Sequence, residues 1–156
     1  DNFVVGKPNE LAFAASQRIA EADNVSFNPL SIPSVIYTNP EVAWCGDTEN
    51  ELNEQSIRYI KAEFPWKASG RALAVDAVDG KTKILCNEKR TKILGVGIVG
   101  HNAGELINEA MIAIEMGATP EDLALTIHAH PTLSETISNT AEIINGNITD
   151  LYFPKK

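Results

Sequence analysis

The sequence predicts an α+β fold of two layers, an antiparallel sheet of four to five strands with helices packed on one face. Three observations carry that expectation. β-branched and alternating runs dominate the earlier part of the chain, and helical periodicity dominates the later part. Two of the strand runs also flank a short polar loop, the mark of an antiparallel hairpin.

The elements follow in order. LAFAASQRIAEA (11–22) reads as a helix, with Leu11, Ala15, Ile19 and Ala22 on one stripe. Asn28, Pro29, Ser31 and Pro33 then break the chain. Residues 1–27 are therefore expected to be a helical appendage or linker remnant, and 28–156 the main domain. SVIYT (34–38) is β-branched and aromatic and reads as a strand. Asn39-Pro40 turns it, and EVAWC (41–45) continues extended. Asp47 is placed as N-cap of a short acidic helix reaching about Gln55. IRYIKAEF (57–64) alternates apolar and polar, as a half-buried strand does, and PWKASGRA (65–72) reads as a loop around Gly70. TKILC (82–86) and KILGVGIVG (92–100) form the hairpin, with its loop around Glu88 to Thr91. AGELINEAMIAIEM (103–116) carries Ile107, Met111 and Ile114 at helical spacing and closes at Gly117. Thr119 caps a second helix over 119–126, with Pro120 at its first position. Thr132 opens a third, through 145, closed by Gly146, and 150–156 reads as a tail.

Composition narrows the function. A chain of 156 residues suffices for one domain with its own core. Thirteen basic against 21 acidic side chains give a net charge of −8, which argues against binding nucleic acid or an anionic membrane surface. No apolar run approaches the ~20 residues of a membrane span, and DNFVVGKPNE lacks the pattern of a secretion signal. Cys45 and Cys86 share no metal-type or redox spacing and are expected to be buried, reduced thiols, as suits a cytoplasmic protein. The sequons at Asn24 and Asn147 are read as chance.

Several motifs compete for chemistry. GVGIVG (95–100) matches the letters of a dinucleotide fingerprint, but its glycines lie within a strand run rather than in a turn into a helix. Close packing of another backbone or a helix on the sheet explains them better. His128 and His130 are spaced for a shared metal on an extended segment, yet no further ligands support one, so no metal is expected. A nucleophilic cysteine paired with His130 has no local signature. The run His130-Pro131-Thr132-Leu133-Ser134-Glu135 is more informative. Pro131 biases His130 away from helical geometry, and Glu135 falls in the first turn of the next helix, able to reach back. A carboxylate on one ring nitrogen fixes the tautomer and makes the other nitrogen a better base. The same letters, Thr132-x-x-Glu135, also spell a capping box. Spacing leaves both readings open.

Four stretches in this order, IPSVIYTNPEVAWCG (32–46), FPWKASGRALA (64–74), GVGIVGHNAGELINEAMIAIEMGA (95–118) and DLALTIHAHPTLSE (122–135), resemble the C-terminal interface domain of the pyridine nucleotide-disulfide oxidoreductases. HPT-x-SE marks the wider family, whereas TIHAHPT and FPWKASGRA narrow the likeness to its dihydrolipoamide dehydrogenases. The resemblance covers about residues 28–152. It implies a homodimer in which His130 is general base on a substrate thiol and Glu135 orients it. The thiolate would attack a redox-active disulfide beside FAD in the partner subunit, with electrons passing on to NAD. It implies that the backbone of His130 and Pro131 approaches the partner's flavin, and that a lipoyl domain of a 2-oxo acid dehydrogenase complex is the substrate carrier. Cis bonds before Pro131 and Pro40 would fit a chain bent sharply at such a site. FAD and NAD belong to the full-length enzyme and its own FAD and NAD domains. Neither cofactor is expected on this chain alone, which is expected to be inactive by itself. This sequence departs from the family where Cys45 stands in place of an aliphatic residue. Two competing readings are a dimer module without catalytic duty and a sibling reductase acting on glutathione or mercury. TIHAHPT and FPWKASGRA tell against the sibling.

Overall fold

The computed structural model describes residues 28–151. The expected helix at 11–22 lies outside them, as do residues 152–156 of the expected tail. Five strands, β1 (Ser34–Ile36), β2 (Glu41–Gly46), β3 (Tyr59–Pro65), β4 (Lys81–Asn87) and β5 (Ile93–Gly100), form one antiparallel sheet in the order β1-β2-β5-β4-β3. Among the described residues, five α-helices accompany it: α1 (Glu49–Glu54), α2 (Gly70–Ala74), α3 (Ala103–Glu115), α4 (Pro120–Leu125) and α5 (Glu135–Asn145).

Alternation along the strands sets the two faces. Ala43 and Cys45, Val96 and Ile98, Ile84 and Cys86, and Ala62 and Phe64 are buried, and their cross-strand partners lie in register with them. α3 covers this face over β2 and β5, α5 covers it over β3 and β4, and α4 packs on α5. Ile107, Ala110, Ala113 and Ile114 supply the buried stripe of α3. Gly117 (φ +68°) and Gly146 (φ +78°) take the left-handed position that ends α3 and α5. Burial of this one contiguous cluster is the main stabilising term of the fold. The opposite face carries Val42, Trp44 and Leu85 in a trough of about 290 Å³, bordered by Lys81, Lys83 and Glu63. α1 stands beside that opposite face, where Glu49 accepts from Lys83 at 2.6 Å and pairs with Lys61 at 3.1 Å. These lysines hold the Glu49 carboxyl below the usual carboxylate range, the hydrogen bond from Lys83 being the largest cause.

Three local expectations are corrected. Thr48, not Asp47, caps α1: its hydroxyl accepts from Glu51 N–H while Glu51 accepts from Thr48 N–H, a complete capping box. Asp47 instead lays its backbone across β5. PWKASGRA is not a loop. Trp66–Ala68 form a 3-10 turn and Ser69 caps α2 by accepting from Ala72 N–H, because the fully buried Trp66 ring pulls the segment onto the core. Finally, α5 starts at Glu135 rather than at Thr132.

The β5 glycines serve close packing. A Cβ on Gly95 would run into the Asp47 carbonyl oxygen, whereas one on Gly97 would meet only Lys83 Cε at 3.7 Å. Gly95→Ala should therefore cost about 1–3 kcal/mol and lower the denaturation midpoint, while Gly97→Ala should not. Equal midpoints for the two variants would contradict the packing role given to Gly95.

Candidate active site

His130 and Glu135 meet at the junction between α4 and α5. Thr119 opens α4 with a capping box to Asp122 and Pro120 at its first position. After Leu125 the chain runs non-helical through the cis His130-Pro131 peptide, and Asn39-Pro40 is cis as well. Leu133 then sinks into the core and Glu135 begins α5.

The junction is held by a short set of hydrogen bonds. Thr132 Oγ1 donates to Ala129 O at 2.7 Å, and Thr132 N–H donates to Glu135 Oε2 at 2.7 Å. The other carboxylate oxygen, Oε1, faces His130 Nδ1 at 2.8 Å. One oxygen of the carboxylate thus faces the imidazole and the other the turn backbone. The capping box itself is only half present. The Thr132 hydroxyl is engaged with Ala129, and Ser134, the residue before α5, makes no side-chain cap bond. Because the carboxylate accepts, Nδ1 carries the hydrogen and the lone pair resides on Nε2. The His130 side chain is 80% exposed and Glu135 23% exposed. An accessible imidazole fixed by a sheltered carboxylate can take a proton from a group brought to it from outside.

A buried chain of hydroxyls supports the junction from the sheet side. Trp66 Nε1 donates to Thr82 Oγ1 at 3.0 Å, Thr82 and Thr136 share a hydrogen at 2.8 Å, and Thr136 Oγ1 reaches Leu133 O at 2.8 Å. Thr136 donates to the Leu133 carbonyl, so Thr82 must donate to Thr136, and the order of protons is fixed. This links FPWKASGRA to HPTLSE, which sequence spacing could not show because the partners are 16 and 54 residues apart.

The other candidates are placed elsewhere. Both nitrogens of His128 face acceptors, Nδ1 with Thr126 O at 2.9 Å and Nε2 with Glu109 Oε1 at 2.6 Å, so this ring is committed to partners of its own rather than to a metal shared with His130. The carboxylate partner of His128 was invisible to sequence reasoning, since Glu109 sits on α3, 19 residues away. Cys45 and Cys86 are buried, free thiols in the core, and burial pushes Cys45 up to about 11 against a lowering hydrogen bond from Val96. Such a thiol is protonated at neutral pH and is a poor nucleophile. GVGIVG lies within β5, and at the start of α3 the Gly104 N–H donates to Glu41 Oε2 at 2.9 Å. A carboxylate thus occupies the place where a dinucleotide phosphate would dock. Exposed apolar side chains flank the junction on the same segment, Leu125 and Ile127, and line the outer side of α3, Ile112 and Met116.

Comparison with known proteins matches residues 32–141 to the model of the pyridine nucleotide-disulphide oxidoreductase dimerisation domain. The dihydrolipoyl dehydrogenase of Buchnera aphidicola (subsp. Acyrthosiphon pisum) is 53% identical over 133 residues, 85% of this chain and 28% of that protein. That of Vibrio parahaemolyticus is 54% identical over 125 residues, 80% of this chain and 26% of that protein. The chain therefore spans about a quarter of the length of these relatives. Among solved structures, LpdA from Mycobacterium tuberculosis superposes with a TM-score of 0.75 at 25% identity, over 83% of this chain and 28% of that one. The HOCl-induced flavoprotein disulfide reductase RclA from Escherichia coli shares the fold, with a TM-score of 0.76 at 19% identity, over 87% of this chain and 31% of that one.

Proposed function

Because this chain belongs to the pyridine nucleotide-disulphide oxidoreductase family, as its dimerisation domain, we propose that it completes the dithiol site of a dihydrolipoyl dehydrogenase, with His130 as general base and Glu135 as the carboxylate that orients it. The observation that carries this reading is the 2.8 Å contact of His130 Nδ1 with Glu135 Oε1, on a ring that is otherwise open to solvent. Nε2 takes the proton of a substrate S–H. The thiolate attacks one sulfur of a redox-active disulfide, breaking the S–S bond, forming a mixed disulfide and releasing the second sulfur as a thiolate. A positioned base makes the attacking species available at neutral pH, where a free thiol is mostly protonated.

FAD, when bound, supplies the two-electron relay between this dithiol chemistry and NAD. Among the described residues, the exposed stretch Ala129, His130 and Pro131 is the one assigned to approach flavin. The described residues offer NAD no fitted site, since the fingerprint letters lie in β5 and Glu41 occupies the start of α3. Both cofactors are thus assigned to other parts of the full-length enzyme. The disulfide is assigned to the partner subunit of a homodimer, and exposed Leu125 and Ile127 beside His130 support a partner surface there. A lipoyl domain presenting dihydrolipoamide is the matching substrate carrier.

Glu135→Gln in the full-length enzyme tests the pair. A glutamine carbonyl can still accept from Thr132 N–H, so the turn persists, but its amide presents a donor to Nδ1 and favours the wrong tautomer. Turnover should fall about 10- to 100-fold, with flavin retained. Unchanged turnover would remove Glu135 from the site.

A further inference from the structure

A second imidazole–carboxylate pair stands beside the first. His128 is two residues from His130, yet only 8% of its side chain is exposed. Both of its ring nitrogens face acceptors: Nδ1 lies 2.9 Å from the Thr126 carbonyl and Nε2 lies 2.6 Å from Glu109 Oε1. A neutral imidazole has one donor and one acceptor nitrogen, and only the imidazolium has two donors. A carbonyl oxygen can never donate. The geometry is therefore satisfied in full by the charged ring against the Glu109 carboxylate. Glu109 belongs to α3, on which the buried stripe Ile107, Ala110 and Ala113 is fixed against the sheet.

We propose that His128 is a positioning residue, held as an imidazolium that clamps the segment Thr126–Pro131 onto α3 and so presents His130 to the incoming thiol. The clamp rests on the role given to His130 above. One bond ties the ring to its own segment, through Thr126, and the other ties it to a rigid helix, through Glu109. The contrast in exposure fits this division, with the reactive ring outside and its support inside. The charged groups acting on His128 are Glu109 from α3 and Glu135 from α5. Burial, the largest influence, disfavours the charged ring. The bonds to Glu109 and Thr126 and the two carboxylate charges together outweigh it and raise His128 above the ordinary histidine value. The clamp is thus fully formed below that ordinary value and is lost as pH rises through the raised one, when one nitrogen gives up its proton and one bond breaks.

The test uses the full-length enzyme. With 15N-labelled histidine, the resonance pair that disappears in His128→Gln should keep both ring nitrogens protonated to a higher pH than a free imidazole does. Loss of the proton at or below the pH of a free imidazole would overturn the imidazolium. Steady-state turnover of His128→Gln should fall about 10- to 100-fold, the loss expected when a reacting group is displaced by about 1 Å, with flavin content and dimer mass unchanged. Glu109→Gln removes the carboxylate charge and leaves at best a weaker, neutral acceptor for Nε2–H, so the alkaline fall of kcat should begin at lower pH than in the native enzyme. If His128→Gln fails to fold, the His128 resonances are assigned by their shift in Glu109→Gln, and that spectrum and its pH profile decide. Native kcat and an unshifted alkaline limb in Glu109→Gln would overturn the clamp. Full turnover by His130→Gln would instead remove the base and leave the spectrum to judge His128 alone.

Discussion

Replacing His130 by glutamine should lower kcat of the full-length enzyme by about 10²- to 10⁴-fold, the span of a positioned general acid–base group. The side chain is 80% exposed, and among the described residues its one side-chain hydrogen bond is with Glu135. Little packing is lost, so flavin content, dimer mass and thermal midpoint should stay near native. The loss should fall on the step that needs the S–H proton removed. It should therefore be smallest with a dithiol presented at high pH, where the thiolate forms without help. Native kcat in this variant, or an equal loss at every pH, would show that the imidazole does not act on the thiol.

Replacing Trp66 by alanine should destabilise the domain by about 3–5 kcal/mol, the cost of truncating a large buried aromatic. The ring is fully buried and fills the space that Gly80 and Gly100 leave open, where a Cβ at either position would overlap it. Its N–H also begins the chain Trp66–Thr82–Thr136–Leu133 that steadies the turn before Glu135. Turnover should consequently fall along with stability. Trp66→Phe isolates the hydrogen bond: it keeps most of the ring and should cost about 1 kcal/mol, the typical net value of one such bond. Chemical denaturation of the three proteins measures both. A Trp66→Ala midpoint close to native would contradict the core role of the ring.

Much of the architecture was legible because local chemistry and the final fold agree. The β4–β5 hairpin follows from TKILC and KILGVGIVG around a polar loop, and α4 follows from Thr119 and Pro120. The misread pieces are those where tertiary packing decides. PWKASGRA has a loop's composition, yet the burial of Trp66 winds it into a 3-10 turn and α2. Asp47 and Thr48 are both good caps, and the backbone contact of Asp47 with β5 leaves Thr48 to serve. The strand order, which places β5 between β2 and β4, depends on a crossover that no local pattern encodes. At the site, His130 and Glu135 were legible because five residues separate them across one turn. His128 could be seen only as one of two nearby histidines. Its partner Glu109 lies 19 residues away on α3, and only the packed fold joins them.

Hybrid dimers test the trans arrangement most directly. One subunit carries His130→Gln with its redox disulfide intact, and the other carries native His130 with its redox cysteines disabled. If His130 serves the partner's disulfide, one of the two symmetry-related sites is whole, and the hybrid should keep about half the native turnover. A hybrid no more active than its two parent homodimers would place the base and the disulfide in the same subunit and contradict the account.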